Sequence, residues 1–228
     1  DQAGCLFYCW LEIEGRITYI FVKMARSVTS TVPVTELIPE NLLREPPEFQ
    51  GKFDPHVWFD VTLWKHCADA VRDELTRLDP GSAEQYKANA EAYKKELDDL
   101  HAYVIEQMAL IPEAQRVLVT AHDAFGYFGR QYGVEVLGIQ GMSTATEAGA
   151  GDVQRIAKTI AERKIRAIFV ESSVPKATIE AVQKAVQARG WNVQIGGELF
   201  SDAMGQDGTP EGTYLGMVRH NVDTMVGA

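Results

Sequence analysis

From Pro112 to the C-terminus, short apolar runs alternate with segments of helical periodicity, and this alternation restricts the possible folds more than any other feature. Val117-Leu118-Val119-Thr120, Val134-Glu135-Val136-Leu137, Ala167-Ile168-Phe169-Val170 and Val193-Gln194-Ile195 read as four strands. Helices are expected over 124–132, closed by Gly133, and along the face Val153, Ile156, Ala157, Ile160 and Ala161. Two more are expected over 175–189, ended by Gly190, and over about 214–226. Strands joined through helices pair in parallel and need helices on both sheet faces.

Upstream lies the longest periodic segment. Tyr86, Ala90, Tyr93, Leu97, Leu100, Val104, Met108 and Ile111 recur at steps of three and four, and Pro112 stops the pattern. Ser82 with Gln85 three residues later suits a capping box. A helix over 83–111 would reach about 43 Å at 1.5 Å per residue, more than one small domain requires. It therefore reads as a bridge between two lobes. Residues 57–78 read as another helix, ended at Asp79-Pro80-Gly81. The apolar run Cys5-Leu6-Phe7-Tyr8-Cys9-Trp10-Leu11 reads as a buried strand. Ile13, Ile17, Ile20, Phe21 and Met24 then suggest a helix. Residues 27–55 read as irregular, apart from a short strand at Thr31-Val32-Pro33-Val34, because Pro39, Pro46, Pro47 and Pro55 interrupt them. The expected organisation is α/β: two parallel-sheet lobes, 1–82 and 113–228, joined by a single long helix at 83–112.

Composition narrows the function. The 228 residues carry 22 Lys+Arg against 32 Asp+Glu, a net charge of −10, which argues against nucleic acid and anionic membrane surfaces as partners. The apolar run at 5–11 is far shorter than the roughly 20 residues of a membrane span, so no direct membrane insertion is expected. Nor does it have the flanks of a signal peptide. Three cysteines do not make a disulfide scaffold. The sequence contains no Gly-rich phosphate loop, G-x-S-x-G, H-E-x-x-H or C-x-x-C.

Ligands of open parallel sheets gather at the carboxyl ends of the strands. Four polar groups of residues fall there: His122, Met142-Ser143-Thr144, Glu171-Ser172-Ser173, and Glu198 with Asp202. An imidazole with several carboxylates suits a divalent metal or acid–base work. Each also has a structural reading. His122 would cap the following helix, Asp123 would serve as its N-cap, Glu171 would pair with an arginine or cap a helix, and Asp202 would form a turn. His56 follows Pro55 beside Trp58 and Phe59, which suits either a rigid neutral ligand or a packed histidine. His66, Cys67, His101 and His220 read as structural or solvated.

Three segments carry a resemblance: Asp54-Pro55-His56-Val57-Trp58, Thr120-Ala121-His122-Asp123-Ala124-Phe125-Gly126-Tyr127-Phe128, and Gly197-Glu198-Leu199-Phe200-Ser201-Asp202-Ala203-Met204-Gly205. In this order they resemble the TroA-like metal-binding proteins, the extracytoplasmic solute-binding components of zinc and manganese ABC importers. The likeness runs from about Leu6 to the C-terminus and includes Gly212-Thr213-Tyr214. It implies two α/β lobes joined by one rigid helix, with Zn²⁺ or Mn²⁺ as the transported ligand. It also implies His56 as a ligand from the first lobe, His122 and Asp202 as ligands from the second, a membrane permease of an ABC importer as partner, and a periplasmic or extracytoplasmic location. A histidine at 122 suits the zinc-leaning branch, since imidazoles with one carboxylate fit tetrahedral Zn²⁺ and Mn²⁺ accepts more oxygen.

Two departures accompany the resemblance. The family's first histidine ligand lies upstream of the strand that begins here near Leu6, so the chain is expected to be truncated. The first lobe would then be incomplete, with three protein ligands and an open coordination position. Cys9-Trp10 also stand where relatives carry Asn-Gly between strand and helix. Two competing expectations follow: a zinc-dependent hydrolase using the open position with Glu171 or Glu198, or a fragment that no longer binds metal.

Overall fold

A computed structural model describes residues 6–13, 17–24, 27–33, 37–47, 51–141 and 148–228. It divides into two compact units, Asp1–Ala102 and Tyr103–Ala228. The α/β class holds, and the boundary falls inside the long helix.

In the first unit, β1 (Leu6–Ile13), β2 (Ile17–Met24) and β3 (Ser27–Pro33) form a three-stranded sheet in the order β1-β2-β3. Both pairings are antiparallel, where a parallel sheet was expected. The helix expected from Ile13 to Met24 is strand β2, and part of the expected irregular stretch is strand β3. A run rich in β-branched and aromatic residues, Ile17-Thr18-Tyr19-Ile20-Phe21-Val22, satisfies either period, and cross-strand pairing favours the strand. Cys9-Trp10 lie inside β1, at its register shift against β2.

Helix α1 (Val61–Leu78) begins four residues later than its periodicity suggests. A 3-10 turn at Val57–Phe59 precedes it. Asp60 then accepts from the backbone N–H groups of Thr62 (2.9 Å) and Leu63 (3.4 Å) and starts the helix as its N-cap. Its buried face is Val61, Leu63, Trp64, Cys67, Ala70, Val71 and Leu75. Burial pushes the Cys67 thiol well above its ordinary range, which keeps it in the unreactive neutral form. His66 is half-buried.

Helix α2 (Ala83–Ala109) has 27 residues, about 40 Å at 1.5 Å per residue. Ala90, Leu97, Leu100, Val104 and Met108 are its buried stripe. The Gln85 amide donates forward to Asn89 Oδ1 at 2.8 Å. Approaching Pro112, the chain tightens to three-residue bonds, Leu110 N–H to Gln107 O and Ile111 N–H to Met108 O.

The second unit alternates strand and helix: β4 (Val117–His122), α3 (Gly126–Tyr132), β5 (Glu135–Gln140), α4 (Ala150–Arg163), β6 (Ala167–Glu171), α5 (Ala177–Gln187), β7 (Gln194–Leu199) and α6 (Tyr214–Gly227). β4 pairs in parallel with β5, and β6 with β7, as two two-stranded sheets, and β4 runs beside β6. The lateral order is therefore β5-β4-β6-β7. The inner strands β4 and β6 are buried along almost their whole length, as their unbroken apolar runs require. The outer strands are partly exposed. Val119, Ala121, Ile168 and Val170 pack against Ile156, Ile160, Ile179, Val182 and Val186 of α4 and α5. Gly133 closes α3 at φ 67°, a left-handed turn that glycine adopts without steric cost. Asp123 is not the N-cap expected of it: α3 starts two residues later, with Phe125 at the cap.

Candidate metal centre

Chain order and lateral order disagree between β4 and β6. From β4 the chain moves outward to β5, then returns across to β6 and moves outward the other way to β7. Such a reversal opens a crevice at the carboxyl ends of the two central strands, the usual ligand position in a parallel sheet. His122 ends β4 and Glu171 ends β6. Both side chains are fully buried, and burial of an ionisable pair is tolerated where opposite charges stand in contact.

The pairing has two parts. His122 backbone N–H donates to Glu171 Oε1 at 2.9 Å. His122 Nδ1 lies 2.6 Å from Glu171 Oε2. One carboxylate thus holds both the backbone and the ring of the histidine, which directs Nε2 into the crevice. Asp202, in the loop after β7, is one-third exposed and sets its Oδ1 3.4 Å from that Nε2. Two of the three expected site residues meet in this unit. Glu171 neither pairs with an arginine nor caps a helix here; it orients His122.

Burial opposes a charge on His122. The Asp202 and Glu171 carboxylates outweigh it and push the imidazole up from 6.5 to about 10. In the metal-free protein at neutral pH, the ring is an imidazolium between two carboxylates. The folded value is raised, so its stabilising effect is complete below pH 6.5 and disappears as pH rises through about 10. With chelator present, the melting temperature should fall between pH 6.5 and 10. His122→Gln should flatten that slope; an equal slope in the variant would refute the assignment.

The first unit contains a second histidine held in the same way. Pro55 fixes the backbone ahead of His56, and both Asp54 and His56 are buried. Asp54 Oδ1 accepts from the His56 backbone N–H at 3.0 Å and from His56 Nδ1 at 2.7 Å. Arg44 Nη1 donates to the other carboxylate oxygen, Oδ2, and Asp54 N–H donates to Arg44 O at 2.8 Å. Trp58 stands edge-on to the His56 ring, with centroids 5.1 Å apart. A neutral imidazole that donates from Nδ1 carries its lone pair on Nε2. A carboxylate behind a histidine is the usual support of a metal-ligating imidazole, because it fixes the tautomer and raises basicity.

The remaining candidates have other roles. Glu198 is exposed, and its Oε2 lies 3.0 Å from Lys176 Nζ. Ser173 and Ser201 share a hydroxyl–hydroxyl bond. His220 Nε2 lies 3.0 Å from Glu198 O, and its ring packs on Phe200. His101 is half-buried in α2. Met142-Ser143-Thr144 lie outside the described residues. Sequence reasoning missed Asp54 as the support of His56; its spacing two residues ahead, across a proline, was the available signal.

Comparison with known proteins places these sites in context. The model of the family described as zinc-uptake complex component A, periplasmic (ZnuA) matches residues 1–228. The zinc-binding protein TroA of Treponema pallidum (strain Nichols) is 52% identical over 229 residues, covering 100% of this chain and 73% of that protein. The manganese-binding lipoprotein MntA of Bacillus subtilis (strain 168) is 44% identical over 228 residues, covering 100% of this chain and 74% of that protein. The solved structure of periplasmic zinc binding protein TroA from Treponema pallidum aligns with a TM-score of 0.84 at 55% identity, covering 86% of this chain and 70% of that one.

Proposed function

The chain belongs to the family of periplasmic zinc-uptake component A, and on that premise we propose that it captures a divalent transition metal outside the cytoplasm and passes it to the membrane permease of an ABC-type importer. His56 Nε2, His122 Nε2 and an Asp202 oxygen are the proposed donors, and Zn²⁺ is the preferred cargo over Mn²⁺. Capture and release are then ligand exchange at the cation, with no covalent step.

One observation carries this reading. Each histidine is buried and gripped through its backbone N–H and its Nδ1 by a single carboxylate, Asp54 for His56 and Glu171 for His122. A merely packed histidine needs one partner; a double grip fixes the direction of the remaining nitrogen. Two imidazoles and one carboxylate favour Zn²⁺, whereas Mn²⁺ prefers an oxygen-rich set. The hydrolase reading fares worse, because Glu171 is committed to His122 and Glu198 to Lys176. Among the described residues no helix is long and apolar enough to cross a membrane.

The test is competition between the metal-free chain and a chromogenic chelator. Zn²⁺ should bind more tightly than Mn²⁺ and raise the melting temperature. Asp202→Ala should weaken Zn²⁺ binding by at least ~10-fold, as loss of a ligand exceeds loss of an outer partner. If Asp202→Ala retains full affinity, the donor set is wrong.

A further inference from the structure

We infer that Asn221, on α6, is a positioning residue for the cation ligand Asp202; the inference rests on the proposed metal function. Asn221 is 2% exposed. Its amide Oδ1 accepts from Phe200 N–H at 2.9 Å, and its Nδ2 donates to Phe200 O at 2.8 Å. These two bonds close a ring on one residue, as a neighbouring strand would. They occur one residue beyond the end of β7, where the ladder to β6 has finished: Ser172 N–H donates to Leu199 O at 2.9 Å as the last rung. Asn221 therefore supplies the pairing that the sheet no longer provides.

The orientation of the amide is settled by its partners. A flipped side chain would set carbonyl against carbonyl and N–H against N–H. Nδ2 also lies 3.5 Å from Met217 Sδ, on the same helix face. Around this clamp, the Phe200 ring packs on His220, and buried Ser201 bonds to Ser173. Asp202 is only two residues beyond Phe200, and its Oδ1 already stands 3.4 Å from His122 Nε2, about the separation of two donors on one tetrahedral cation with ~2.0 Å bonds. A trans chain advances at most ~3.6 Å per residue, so two residues leave little slack between clamp and ligand. Ligands need placing within about 0.5 Å, and a bond at Phe200 controls that at Asp202. The Asn221 side-chain bonds go to Phe200 and Met217. Its effect on the cation passes through the loop.

A double-mutant cycle tests this on the full chain with Zn²⁺ as probe. Asn221→Leu keeps the branched shape and the number of side-chain heavy atoms and removes both bonds. It should lower Zn²⁺ affinity by up to about tenfold in the otherwise unsubstituted chain, the lower end of what loss of a direct partner of a ligand costs. With Asp202→Ala already present, the same change should cost less than ~2-fold, because the residue through which it acts is gone. Asn221→Asp is the second variant. It keeps an acceptor for Phe200 N–H, loses the donor to Phe200 O, and should give a smaller loss with the same dependence on Asp202. The Co²⁺-loaded protein adds a spectroscopic readout: its visible d–d bands should shift toward those of Asp202→Ala. Equal losses in both backgrounds would reveal a purely structural role and overturn the inference, as would unchanged affinity. An unsubstituted chain that takes up no Zn²⁺ would overturn the metal reading itself, and this inference with it.

Discussion

Replacing His122 with alanine should lower Zn²⁺ affinity by at least ~100-fold, the largest effect expected of any single change in this chain. Loss of an outer partner of a metal-bound histidine costs ~10–100-fold, and loss of the imidazole itself exceeds that. Three features concentrate the effect at this position. The ring is fully buried, so water entering the gap must replace it as a weaker donor. Its Nε2 already faces the Asp202 carboxylate, so the two donors are arranged before any cation arrives. The substitution also leaves the Glu171 and Asp202 charges without their cationic partner, since the metal-free ring is held protonated up to about pH 10. The same proton predicts a signature of binding: it must leave as the metal enters, so calorimetric heats at neutral pH should vary with the ionisation enthalpy of the buffer. His122→Ala should remove both the affinity and the buffer dependence. Retained affinity would end the case for this ligand.

The second large effect is expected at Glu171, and it is one of stability. Glu171→Leu removes the acceptor of His122 N–H and the partner of Nδ1 in one step. Breaking a buried ion pair from one side costs about 3–5 kcal/mol, because the remaining polar group is stranded away from water. For a chain of this size that is a fall of about 10 °C in melting temperature. Zn²⁺ affinity should fall as well, by ~10–100-fold, since the free Nδ1 no longer fixes the ring. Glu171→Gln keeps an acceptor for the backbone N–H and should lose clearly less stability. A Glu171→Leu protein as stable as its parent would show that the carboxylate does not support His122.

Much of this site was legible in the residues. His56, His122 and Asp202 stand out because turn residues and strand ends surround them, and three motifs in order carry the family resemblance. The supports of those ligands were less visible. Glu171 acts on a residue 49 positions away, across adjacent strands, and no local spacing announces that. Asn221 acts across 21 positions on the backbone of Phe200. Asp54 lies beside His56 in Asp54-Pro55-His56-Val57-Trp58, yet its function depends on a backbone bend that only the tertiary structure reveals.

The elements divide along the same line. Long periodic segments such as α2, and the apolar runs of β4 and β6, were correctly read because their pattern is repeated many times over. Of the three front strands only β2 reads as a helix, since an apolar stretch of eight residues fits both the helical and the extended period. Local sequence determined where strands, helices and stops lie, because propensity, periodicity and proline act over a few residues. Tertiary structure alone decided which carboxylate holds which imidazole, that the front sheet is antiparallel, and which amide closes on Phe200. Those choices depend on groups far apart in the chain coming within about 3 Å, and burial then makes every such pairing obligatory.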